Sequence, residues 1–325
     1  MKNLIYLLLA VFILSSCNDD PVEPTPPISL ADSISMGASY ADEVFYSLEN
    51  GVVKTSPRSS WDIAFSTDPM SSTILVNEGY GIELYTYPSG DLSAWDEVDI
   101  SGIDEWPLMY NSDTSWYFGA FDRNTTGHPD YGWGVYNMLD HNVTGDSLFI
   151  IKLSDGSVKK LLIEQRAAMT NSFSIKYGDI DVAGETKDIT CGDYLSKNFI
   201  YFSFTSGEII DIEPESDSWD LLFTKYWDES IPYNVTGVLT NTERETAEVR
   251  GVDPEVADTT DGVFSDDISI IGSDWKEFDM GTMTYLVESD LCYFVKSGDE
   301  TYKIVFTLFE GSASGKVVFD KEIVE

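Results

Sequence analysis

Few residues in this 325-residue chain are placed to do chemistry, and the first of them is Cys17. One basic residue, Lys2, precedes an apolar run from Leu4 to Leu14, and Ser15-Ser16 lead into the cysteine. The run is shorter than the roughly 20 residues of a membrane span and reads as a signal segment over 1–17. Leu14-Ser15-Ser16-Cys17 has the pattern of a lipobox, so the chemistry expected is acylation of the Cys17 thiol before cleavage. Several acyl chains, at about 0.8 kcal/mol per buried methylene, hold a domain on a membrane without spanning it.

The remaining reactive groups are sparse. Only two histidines exist, His128 and His141, and two further cysteines, Cys191 and Cys292, which spacing leaves free to be either a disulfide or two buried thiols. Gly311-Ser312-Ala313-Ser314-Gly315 puts alanine where a nucleophile elbow needs its serine. Ser157-Val158-Lys159-Lys160 fits S-x-x-K only formally, on a hairpin whose lysines are expected to alternate to solvent. Asp253 to Asp267 is rich in oxygen ligands but lacks the spacing of an EF-hand loop and reads as a solvated loop. A carboxylate pair for glycoside cleavage is defined in space, so 57 acidic residues point to none. No enzymatic activity is expected.

The elements around these residues follow from composition and pattern. Against the 57 acids stand 19 basic residues, and a net charge of −38 excludes nucleic acid and anionic lipid surfaces as partners. Membrane contact is expected through the lipid alone. Asn18 to Ile28 holds four prolines and three acids, so residues 18–37 are assigned to an acidic, proline-rich tether.

Beyond the tether the chain repeats itself. Residues 44–65 and 199–223 align with a two-residue insertion in the second copy, bringing Gly51, Pro57, Trp61-Asp62 and Phe65 opposite Gly207, Pro214, Trp219-Asp220 and Phe223. Residues 146–163 likewise face 290–306. Apolar, β-branched runs flank Asn50-Gly51, Asp155-Gly156, Ser206-Gly207 and Ser297-Gly298, which predicts four β-hairpins. No long stretch has a helical apolar face. The expectation is an all-β chain of two tandem antiparallel β sandwich or open-barrel modules, 38–182 and 193–325, joined by a polar linker at 183–192. Trp61 and Trp219 sit inside apolar strands and are expected in the core, with Asp62 and Asp220 on the other face as hydrogen-bond acceptors.

The ordered set of hairpin, W-D-[IL]-x-F, the segment Val76-Asn77-Glu78-Gly79-Tyr80-Gly81 and the terminal I-K-L-S-D-G-S-V-K-K-L hairpin resembles the HmuY-like haem-binding lipoproteins of Bacteroidota. In the second copy the strings W-D-L-L-F-T-K-Y, N-V-T-G-V-L-T-N and S-D-W-K resemble a branch of the same family. The acids Asp19 and Asp20 after Cys17 are similar to the export signal of lipoproteins displayed on the cell surface in that phylum. The resemblance implies an outer-membrane lipoprotein facing the exterior that holds haem, or a related porphyrin, and delivers it to an outer-membrane receptor.

Known members bind haem iron through two axial histidines or methionines, and thioether and imidazole are both suited to that role. The segment 106–141 concentrates such groups among aromatics. Met109 with Met138 or His141 is the first expectation and His128 the reserve, with Trp106, Trp116, Tyr131, Trp133 and Tyr136 as candidate cleft walls. No metal other than haem iron is expected. The second copy has no histidine; a site there would rest on Met280, Met283, Tyr226 or Tyr233, and a degenerate, structural copy is expected. The competing reading is a non-enzymatic surface lipoprotein that has lost the haem site and binds a glycan or a partner protein through aromatic loops, which exposed Trp95, Trp106 or Trp133 would favour.

Overall fold

The computed structural model describes residues 30–324; the signal segment, Cys17 and the first part of the expected tether lie outside them. Within this range the protein is all-β, in antiparallel sheets, and its longest helical element is the four-residue turn Cys191–Tyr194. The four expected hairpins form. Their glycines Gly51, Gly156, Gly207 and Gly298 all have φ between 60° and 86°, the left-handed region their turns require.

The repeat folds by exchange. Strand Asp42–Ser47 of the first copy's hairpin does not pair with the first W-D strand, Ile63–Ser66; it pairs with the second, Leu221–Asp228, in the register Phe45↔Leu222. Reciprocally, Phe199–Ser203 of the second copy pairs with Ile63–Ser66, in the register Tyr201↔Ala64. Val44, Tyr46 and Leu48 therefore lie in a core with Phe223, Tyr293 and Phe319, while Ile200, Phe202 and Phe204 lie in the other core with Phe65, Phe149 and Phe173. Each such side chain contributes roughly 1.5–3 kcal/mol on burial. The copies hold one another's hairpins.

The W-D motif fastens the exchanged hairpins. Asp62 N–H donates to the Phe202 carbonyl at 2.9 Å, and its Oδ2 accepts from Phe204 N–H at 2.6 Å. Asp220 does the same to the other hairpin, with its N–H on the Tyr46 carbonyl at 2.8 Å and its Oδ2 taking Leu48 N–H at 2.7 Å. Each motif carries an asparagine strut: Asn77 Nδ2 donates to the carbonyls of Arg58 and Trp61, and Asn241 Nδ2 to those of Ser216 and Trp219. Next to the first strut, Gly79 lies against Leu221–Asp228 so closely that a Cβ would sit 2.2 Å from the Lys225 carbonyl oxygen. Only glycine fits there.

Three expectations are corrected by this topology. The modules 38–182 and 193–325 are not separate units, because two of the sheets contain strands of both. The expected linker 183–192 contains an edge strand, Glu185–Thr190, paired with Ser172–Asp179; its polar residues face out and Ile189 alone is buried among them. The expected tether 18–37 ends in a strand, Leu30–Ser35, paired with Lys316–Val324, and Ile34 and Met36 enter the core. These two edge strands occupy equivalent places in the repeat.

The interlock yields a stability prediction. Asp220→Ala leaves the buried Leu48 N–H without its acceptor, at a cost of about 1–3 kcal/mol. Because each core contains part of both copies, urea transitions followed by tryptophan fluorescence and by far-ultraviolet circular dichroism are expected to move together to lower urea. Two separated transitions would show independent modules.

Candidate functional site

The segment 106–141 does not close into one cleft. Met109 is a core residue, 5% exposed, whose sulfur accepts a hydrogen bond from Thr86 Oγ1 at 2.9 Å, whereas Met138 is 74% exposed on the surface. Trp133 is fully buried and donates to the Ser72 carbonyl; Trp106 is half-buried against Tyr85 and Tyr87; Trp95 lies under Lys160 and Lys176. None of these three tryptophans is an exposed platform. Lys160 is itself buried, donating to the Trp95 carbonyl at 2.7 Å, so this lysine does not reach solvent as its hairpin pattern suggests. Cys191 and Cys292 are both buried free thiols.

What the segment does bring together is its histidines. Exposed His128 and His141 both lie near Tyr136, with ring centroids 5.3 and 5.9 Å from it, and the Tyr136 hydroxyl meets His141 Nδ1 at 2.5 Å. Tyr131 packs edge-on to Tyr136 at 6.0 Å, and both tyrosines rest on the first core. Asp140, next to His141 in sequence, instead accepts from Asn142 N–H.

Several cavities lie elsewhere among the described residues, two of them with aromatic walls. The first sits where the exchanged hairpins meet, is about 60 Å³ in volume, and is walled by the edge-to-face pairs Trp61–Tyr201 and Phe45–Trp219. Trp116 enters it from the 106–141 segment, its indole N–H donating to the Thr240 carbonyl at 2.7 Å, so this expected cleft residue does line a cavity. Three carboxyls line the same space. Glu43 accepts from Trp61 Nε1 at 3.2 Å with the Arg58 guanidinium 4.0 Å away; Glu78 accepts from the N–H groups of Asn111 and Trp227; Glu213 accepts from those of Asn198 and Phe199. Burial pushes each from 4.5 up to about 7, against the opposing pull of those donors.

The second is an open cleft of about 560 Å³ in the second copy. Its walls are aromatic: Tyr285 packs edge-on to both Phe278 and Phe309, at 5.1 and 4.7 Å, and Tyr233 stands 58% exposed at the rim. At the floor the Lys276 ammonium donates to the carbonyls of Thr236 and Ser273 and lies over the Trp275 and Phe309 rings. Burial pulls it down to about 7, partly opposed by Asp274. Asp274, Glu277 and Asn234 add polar groups along the edge. The strings N-V-T and S-D-W-K that mark the second copy supply much of this lining, which was the readable signal for it. The three cavity glutamates come from separate segments; Glu78 lies in the marked string Val76–Gly81, but no spacing brings it together with Glu43 and Glu213.

Among the described residues, no three His, Cys, Asp or Glu side chains gather into a metal site. In the acidic loop, Asp253 and Asp258 accept from backbone N–H groups two residues on. No protein-family model matches the sequence, and no curated protein matches it.

The carboxyl cluster sets a pH dependence. Native Glu43, Glu78 and Glu213 keep their protons to about pH 7, whereas the unfolded chain releases them near 4.5. Between those values the unfolded state binds fewer protons, so these groups' contribution is full below pH 4.5 and is lost as pH rises to 7. The urea midpoint is expected to be higher at pH 5 than at pH 8, and Glu213→Gln to narrow the gap. A midpoint that rises with pH would contradict the assignment.

Proposed function

We propose that the chain is a lipid-tethered, non-enzymatic surface protein that binds a neutral, ring-built ligand, a glycan, in the open cleft of the second copy. The observation that carries this reading is the cleft itself. Its volume falls within the roughly 300–1,000 Å³ of small-molecule sites, and it joins aromatic walls to a few polar groups at the edge. Aromatic faces suit the C–H faces of a sugar, and Asp274 and Glu277 can bond its hydroxyls. A net charge of −38 does not oppose a neutral ligand, whereas it repels an anionic one. The anchor at Cys17, the acidic residues after it and the outward-facing outer-membrane location are part of the same proposal, resting on the signal-segment pattern.

Tyr233→Ala and Phe278→Ala alter exposed side chains and are expected to leave the unfolding free energy within about 0.5 kcal/mol of the parent. Each is expected to weaken glycan binding about tenfold, a loss of about 1.4 kcal/mol, in affinity electrophoresis against a panel of polysaccharides or in calorimetry on the hit. Retention on no polysaccharide, or retention indifferent to both substitutions, would remove the reading.

A second reading keeps haem, as the HmuY-like resemblance implies, and its support is the placement of both histidines beside Tyr136. Imidazole nitrogens are chemically suited to axial ligation of haem iron. Hemin added to the chain would then give a shifted Soret band that His141→Ala abolishes; an unshifted band in both oxidation states excludes haem. Delivery to an outer-membrane receptor belongs to this reading alone.

A further inference from the structure

We propose that a third, polar cleft, lined from both copies, binds a free α-amino acid with an apolar side chain. The cleft is about 330 Å³ in volume, inside the roughly 300–1,000 Å³ of small-molecule sites. It opens where the repeat departs from its own pattern. Gly79 and Glu243 each stand two residues after their asparagine strut, and Lys225 and Thr67 each stand six residues after their motif tryptophan, so the contact of Gly79 with Lys225 corresponds to Glu243 and Thr67 at the second strut. At the first strut that contact closes on a glycine. At the second, the chain passes through a left-handed turn at Glu243, φ 60°, uncommon for a residue with a side chain, and Glu243 and Thr67 both line open space.

The cleft has charges of both signs that the described residues leave unpaired. Arg244 commits only Nε, to Asp220 Oδ1 at 2.7 Å; its two terminal nitrogens meet no acceptor among the described residues and are open to solvent. The bond to Asp220 fixes the guanidinium plane and leaves a two-donor fork that matches a carboxylate. Lys197 is already held by Asp211 and the Glu213 carbonyl, so Arg244 is the cation left for a ligand. Asp68 from the first copy and Glu243 from the second have no ion-pair partner among the described residues. Both act on Tyr117, whose phenol is raised above its ordinary value first by burial and then by their charges, so these two carboxylates gather around one ring at the cleft. An ammonium has three N–H donors to share between them.

Charge selects the ligand class. A net charge of −38 repels a plain carboxylate, and an amine alone leaves the Arg244 fork empty. A zwitterion is neutral as a whole and meets both signs. For its side chain the cleft offers exposed Leu195 and the Trp116 ring, which packs on Phe199 with centroids 5.9 Å apart. This cleft shares no lining residue with the aromatic cleft of the second copy, so its occupancy does not depend on a glycan there.

The test is calorimetric titration of the full-length chain with L-leucine, alongside two half-ligands: 4-methylpentanoate, which lacks the ammonium, and isoamylamine, which lacks the carboxylate. The expected result is saturable binding of L-leucine, with each half-ligand about tenfold weaker or more. Glu243→Gln is expected to weaken L-leucine about tenfold, and so is Arg244→Lys, which keeps a cation for Asp220 but loses the fork. The absence of saturable L-leucine binding, a half-ligand that binds as tightly as L-leucine, or affinity indifferent to either substitution would overturn the proposal. Glu243 is exposed and its variant is expected to fold; if Arg244→Lys does not, Glu243→Gln and the half-ligands decide.

Discussion

The structure depends on one interaction made twice: the aspartate of a W-D pair accepts the backbone N–H that ends the other copy's hairpin strand. Asp62 takes Phe204, 142 residues away, and Asp220 takes Leu48, 172 residues away. Both aspartates are buried, so a mispaired hairpin would leave a carboxylate and an N–H unsatisfied out of water, a penalty of about 1–3 kcal/mol for each group. The same strand ends bury Leu48 and Phe204 in the cores. Polar bonding and apolar burial thus act at one place on each exchanged hairpin.

Much of the fold was legible in the sequence because it is written in local rules. The four hairpin turns declare themselves through Gly51, Gly156, Gly207 and Gly298, and the period-two strands through their apolar alternation. Trp61 and Trp219 are buried beside aspartates that accept hydrogen bonds, as their position in the strands suggests. The partner of each hairpin was not legible. Alternation says which face of Asp42–Ser47 is buried but not against which of two nearly identical W-D strands, since Phe65 and Phe223 offer the same surface to either. Leu30–Ser35 and Glu185–Thr190 escaped notice as edge strands because they have few apolar residues to reveal them.

The site was less legible than the fold. Methionine and tryptophan between aromatics look alike whether they line a cleft or fill a core, and Met109 and Trp133 fill the core. The cavity carboxyls Glu43, Glu78 and Glu213 meet only after the hairpins have exchanged, so no spacing in the sequence announces them. Their placement also explains why the cavity sits where it does. Two copies of one packing solution meet with their tryptophans lining the cavity, and the carboxyls accept from the Trp61 indole and from backbone N–H groups left between. A cavity of this origin belongs to neither copy alone, unlike the open cleft, which second-copy residues line almost entirely.

The central claim, that each W-D aspartate holds the hairpin of the other copy, is tested most directly by amide hydrogen exchange on Asp62→Ala. The account predicts lost protection at Phe204 and along Phe199–Ser203, with the first copy's own hairpin, Asp42–Pro57, unchanged. Loss confined to Asp42–Pro57, with Phe204 still protected, would contradict it.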